Sequence, residues 1–124
     1  MKLNADQLDR AIASWLNANG AGDRVLVLTN VAVDVRGRVS SKAVTVGSRA
    51  VLRLDSLDEG AVLEHLDGET LTVERVFCDL GILEPTGDGL VIVELAPGVA
   101  ATDLQALVRP TLKVTHEVAE MVLD

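Results

Sequence analysis

The sequence predicts an α/β or α+β fold: one domain over residues 1–124, with a mixed sheet, antiparallel hairpins and helices packed on it. Three observations lead there. Segments that alternate like strands, or form short apolar runs, outnumber those with helical spacing. Glycine-bearing turns at residues 34–38 and 85–89 stand between apolar segments and call for antiparallel pairing. The chain is 48% hydrophobic over 124 residues, with no internal repeat and no linker-like stretch, which supports one packed core.

Residues 4–19 read as a helix. Asn4 is a capping residue, Gln7 three positions on completes a capping box, and Leu8, Ile12, Trp15 and Leu16 fall on one face. Asn19-Gly20-Ala21-Gly22 ends it with residues suited to positive φ. Residues 24–29 are almost continuously apolar, as in a strand buried on both faces. Val31, Val33 and Val35 alternate with Ala32 and Asp34, and alternation resumes from Val39 through Val44 and Val46, so a hairpin is expected to turn over 34–38. Residues 49–54 give the next strand. Ser56 with Glu59 is a second capping pair and predicts a short helix to about His65 or Leu66, closed by Asp67-Gly68. Residues 69–77 alternate as a strand. Residues 79–84 and 90–95 form a hairpin through Pro85-Thr86-Gly87-Asp88-Gly89. Thr102 with Gln105 predicts a cap for a helix over 103–109, stopped at Arg109-Pro110 because the residue before proline leaves the helical region. A short strand at 113–115 and a terminal helix or tail at 116–123 complete the expectation, with His116 before or capping that helix.

Composition removes several function classes. Trp15 and Phe77 are the two aromatic residues, too few for stacking on bases. A net charge of −8 opposes both a phosphate backbone and an anionic membrane surface, so neither nucleic acid nor membrane is an expected partner. Cys78 is the lone cysteine; it sits in an apolar run and reads as a buried, inert thiol. The first residues lack the basic-then-apolar pattern of a secretion signal, and no apolar run approaches the length of a membrane span. The expected location is cytoplasmic.

Candidate chemistry is sparse. No strained Gly-x-Ser-x-Gly turn accompanies the serines, and His65 and His116 lack the spacing of metal ligands, so no metal site and no bound cofactor are expected. His65 reads as a partner for a helix C-terminus. Glu84 and Glu94 differ from the other carboxylates because each ends an apolar strand, where burial can tune an acid; they are the candidate catalytic residues, against the alternative of solvated strand ends. Gly98 and Val99, at the Pro97-Gly98 corner before a helix, are the candidate ligand-binding positions. Backbone N–H groups there can face an anion, against the alternative of a plain strand-to-helix turn.

Asp79-Leu80, Asp88-Gly89-Leu90 and Val93-Glu94-Leu95-Ala96-Pro97-Gly98-Val99 resemble the C-terminal end of the B (small) subunit of 3-oxoacid coenzyme A transferases. Glu74-Arg75 is similar to the Asp-Arg before that family's strand, and the tail from Thr111-Leu112-Lys113-Val114 to Glu120-Met121 is similar to its ending. Val33-Asp34-Val35-Arg36-Gly37-Arg38-Val39 is a weaker likeness to a family turn. The resemblance covers about residues 69–122. It implies a transferase fold, with coenzyme A or an acyl-CoA as the substrate-class partner. Family chemistry, as the resemblance implies it, uses a glutamate in a Ser-Glu-Asn-Gly motif that attacks the thioester to form a glutamyl-CoA intermediate. No such string occurs here; Asp58-Glu59-Gly60 is the nearest, and capping accounts for Glu59. The chain is also shorter than a full B subunit, and the region that carries the family's CoA pocket has no counterpart. The implied reading is a transferase-like domain without the catalytic motif, structural or non-catalytic, a reduced or artificial relative. The alternative is a small ligand-binding domain or enzyme that uses a new carboxylate site in an apolar pocket. Short helices and several strands also suggest a homo-oligomer that covers a strand edge.

Overall fold

The expected first helix is α1, Ala5–Asn19, in the computed structural model, which describes residues 2–20, 24–43 and 49–121. The Asn4 side chain accepts the Gln7 N–H at 2.9 Å, and the Gln7 side chain accepts the Asn4 N–H at 2.9 Å. This reciprocal cap satisfies two donors that a helix start leaves orphaned. Leu8 and Ile12 are buried, as the apolar stripe of an amphipathic helix requires.

The chain continues through β1 (Val25–Thr29), β2 (Val33–Asp34), β3 (Arg38–Ser40), β4 (Arg49–Leu54), β5 (Val62–Leu63), β6 (Thr70–Thr72), β7 (Val76–Cys78), β8 (Gly81–Thr86), β9 (Gly89–Leu95), α2 (Ala101–Gln105) and β10 (Lys113–Glu120). The main sheet has the order β1-β4-β7-β8-β9-β10. β1, β4 and β7 run parallel, β8 is antiparallel to both its neighbours, and β10 is parallel to β9. β2 pairs with β5, and β3 with β6, in two small sheets.

Strand alternation assigns the two faces. Leu52, Leu54, Val76, Cys78, Leu83 and Ile92 join Val33, Val39, Val73 and Leu104 in one core cluster. Val51, Phe77, Ile82 and Ala96 join Leu3, Leu8 and Ile12 in the other. α1 therefore covers one face, and the small strand pairs with α2 cover the other. The mixed sheet and its hairpin match the expectation, but strand, at 39%, far outweighs helix, at 20%. The helical layers of an evenly built α/β fold are reduced to α1 and the short α2.

Several elements differ from the sequence expectation, each for a non-local reason. β1 is half-buried rather than buried on both faces, and Val27 is 42% exposed, because β1 is a sheet edge. The turn over 34–38 forms, with Gly37 at φ 77 donating to the Asp34 carbonyl at 3.0 Å. Its arms part into different sheets instead of pairing as one hairpin, and residues 44–46 of the expected second arm lie outside the described residues. The buried Asp34 carboxylate holds this turn by accepting the Arg36 and Arg38 N–H groups (2.9 and 3.0 Å) and Arg38 Nε (2.8 Å).

No helix forms over 56–66. Asp58 accepts the Gly60 N–H on its side chain (2.9 Å) and the Ala61 N–H on its carbonyl (3.2 Å), a local turn that competes with a helix. The Ala61 carbonyl then accepts the Val33 N–H at 2.9 Å, and Val62 joins β5. His65 consequently caps no helix; it is exposed and lies 3.1 Å from Asp67. The strand over 69–77 breaks into β6 and β7, because the Val73 N–H donates to Gly37 while the Glu74 N–H already donates to Ala50. The expected helix over 103–109 starts earlier, at Ala101, and Thr102 lies inside it rather than capping it. Asp103 accepts the Ala100 N–H at 2.8 Å, and the Gln105 side chain accepts the Leu112 N–H (2.7 Å) and donates to the Pro110 carbonyl (2.8 Å). The expected terminal helix is strand: β10 continues to Glu120 beside β9, with His116 within it. Residues 122–124 lie outside the described residues. No helix among the described residues is long and apolar enough to cross a membrane.

Candidate functional site

The site begins with a break in the β8–β9 ladder. Ile82 is opposite Glu94, but Leu83 is opposite Ile92, so Val93 is one residue too many. Such a β-bulge turns the strand and re-aims a side chain. Leu90 and Ile92 belong to the core cluster away from α1, Val93 packs with the α1 side, and Leu95 packs again with the far side. The extra residue leaves Glu94 beside Ile82 on the α1 side, where both line one cleft. Gly81 permits the distortion. A Cβ there would lie 2.3 Å from the Glu94 carbonyl oxygen, closer than real Cβ contacts come. β10 is irregular at the same level: Val114 is opposite Ile92, whereas Ala119 is opposite Glu94.

The cleft holds about 340 Å³ between α1 and the sheet. α1 contributes Arg10, Ser14 and Trp15; the sheet side contributes Ile82, Glu94 and Met121. The Trp15 ring is fixed from two directions. It meets Phe77 edge-on, with centroids 6.4 Å apart and planes at 73°, and the Arg75 guanidinium lies 6.0 Å from its centroid. Glu94 is half-buried, and among the described residues its carboxylate has no hydrogen bond or ion pair. The lining beside it is mixed, with Trp15, Ile82 and Met121 apolar and Gln7, Ser14 and Asn19 polar, and a carboxylate there without a partner is poised for a ligand donor.

The other sequence candidates stand elsewhere. Glu84 does not line the cleft; its side chain is 41% exposed and lies 3.3 Å from Arg75. Gly98 has φ 76, in the left-handed region that favours glycine. The Val99 N–H donates to the Ala96 carbonyl at 3.0 Å, and the next N–H, of Ala100, donates to Asp103. Those two donors of the corner are therefore used within it. Among the described residues no group of His, Cys, Asp and Glu is arranged to hold a metal ion. Cys78 is fully buried, and burial pushes its thiol up to about 12. Glu59 is exposed in its turn, 3.8 Å from Arg109.

Sequence reasoning missed Trp15, Arg75, Gly81 and Met121 as parts of the site. Gly81 carried a signal, since a glycine within a strand pattern marks a bulge or a close backbone approach. Met121 carried none, because its place depends on β10 reaching back alongside β9.

No protein-family model and no curated protein matches the sequence. Solved structures with the same fold exist. The decarboxylase AibA/AibB is 14% identical, with TM-score 0.64, over 81% of this chain and 52% of that chain. Glutaconate coenzyme A-transferase from Acidaminococcus fermentans is 13% identical, with TM-score 0.62, over 93% of this chain and 58% of that chain. The acyl-CoA transferase YdiF from E. coli O157:H7, in a thioester complex with CoA, is 18% identical, with TM-score 0.59, over 83% of this chain and 28% of that chain. The fold is thus coenzyme A transferase-like. At these identities the likeness is one of fold, and the chain spans between about a quarter and three fifths of the length of the chains it matches.

Proposed function

We propose that this chain is a coenzyme A transferase-like domain with a structural, non-catalytic role, related to the C-terminal part of the family's B subunit. The observation that carries the reading is the fold likeness at partial length: 81–93% of this chain matches chains of which it covers 28–58%. The absence of a Ser-Glu-Asn-Gly string and the surface position of Glu59 support the lack of the nucleophile. Fold alone does not choose the reaction, since a decarboxylase and two transferases share it. The test is incubation with an acyl-CoA followed by borohydride, with a thermal shift against CoA alongside. The expected result is no reduced glutamate and no shift in Tm. A trapped adduct overturns the non-catalytic role, and a CoA-dependent rise in Tm without an adduct replaces it by a binding role.

One observation favours a second reading. The bulge places an unpartnered carboxylate at a cleft whose walls mix apolar side chains (Trp15, Ile82, Met121) with polar ones (Gln7, Ser14, Asn19), which suits a small-ligand site at Glu94. This reading is compatible with the first, because the cleft owes nothing to a thioester nucleophile.

A further inference from the structure

We propose that the cleft beneath α1 binds a primary ammonium group carried on a short apolar body, with Glu94 as its counter-ion. The proposal rests on the reading of the Glu94 cleft as a binding site and names its ligand class. Glu94 is half-buried and without a partner among the described residues, and Ile82 and Met121 beside it are each 7% exposed. Three ligand charges can be compared. An anion would meet the Glu94 carboxylate with like charge. A neutral apolar ligand would cover that carboxylate and leave it without water or a donor, which is costly. An ammonium offers three donors to it and forms a charge-assisted hydrogen bond where water is partly excluded. A metal ion is a poor fit, since hard divalent ions take about six or more oxygen ligands and the cleft offers a single carboxylate. Arg10 lines the same cleft, but it is exposed on α1 and has an interaction of its own, so solvent screens its charge. The volume of about 340 Å³ is at the small end for ligand pockets and accommodates a short apolar body.

Trp15 lines the cleft and is the chain's one tryptophan, so its fluorescence reports occupancy directly. The full chain would be titrated with isopentylamine, the neutral isopentanol and the oppositely charged isovalerate. The expected result is a saturable response to the amine, at least about tenfold tighter than to the alcohol, and none to isovalerate. Glu94→Gln is expected to bring the amine down to the level of the alcohol, with far-UV circular dichroism and Tm unchanged. Equal amine binding by wild type and Glu94→Gln, or tighter binding of the alcohol or isovalerate, overturns the ammonium assignment but keeps the cleft as a binding site. No saturable response to any of the three overturns both.

Discussion

Two buried polar side chains, Cys78 and Asp34, show how differently single residues reveal themselves. Cys78 follows Val76-Phe77 and stands two residues before Leu80, and its burial follows from that largely apolar segment; the structure leaves it 0% exposed. Burial raises its thiol from 9.0 to about 12, because a thiolate there would be desolvated. The unfolded thiol ionises near its usual value and the folded one holds its proton. Stability from this group is therefore complete below about pH 9 and is lost as pH rises towards about 12. By about pH 10 the loss is about 1 kcal/mol. Urea unfolding of wild type and Cys78→Ala across that range checks it, and parallel curves above about pH 9 would sink it. Asp34 gives no comparable local signal. It stands in an alternating segment like any turn acid, and its burial depends on Arg38 and two backbone N–H groups folding around it. Glu94 falls between these cases: its place at the end of an apolar strand marked it out, but its direction did not follow from that place.

Elements whose partners lie within a few residues were legible. The α1 capping box is complete within four residues, and the β8–β9 hairpin closes on the two-residue loop Gly87-Asp88, with Thr86 opposite Gly89. Pro85, expected in the loop, sits within β8 opposite Leu90. The pattern points to a helix over 56–66 and to a helix or tail over 116–123, but the strands that form within 56–66 and up to Glu120 have distant partners: Val62 pairs with Val33, and Ala119 with Glu94. The Ser56–Glu59 capping pair favours a helix in the first segment, and a distant ladder outweighs it. The bulge supplies the prediction at this scale. Gly81→Ala places a Cβ 2.3 Å from the Glu94 carbonyl oxygen and is expected to cost about 1–3 kcal/mol in urea unfolding. Gly87→Ala, where a Cβ meets nothing within 4 Å, is expected to stay within about 0.5 kcal/mol. Equal midpoints for the two variants would show that β9 does not need the close approach.

The main sheet ends, among the described residues, on β1 at one edge and β10 at the other. Val27 on β1 and Val114 on β10 are the exposed large hydrophobic residues among those described, at 42% and 52%, one at each edge. Unpaired strand edges with apolar side chains invite another chain. We therefore expect self-association: light scattering at micromolar concentration should give a multiple of 13.1 kDa, and a mass that stays at 13.1 kDa on concentration argues against it. At this scale the sequence conveyed a mixed sheet and a family likeness but not the strand order, because parallel neighbours such as β1 and β4 are joined through long excursions that leave no periodic trace. The extra residue in β9 acts as a parity bit for the chain that follows it. Removing one residue between Leu90 and Ala96 would exchange inside for outside from Glu94 onward, sending the carboxylate to the far core and Leu95 towards α1. Length changes in this strand that keep both faces must therefore come in even numbers, and a relative with an odd change there carries a different surface in place of the cleft.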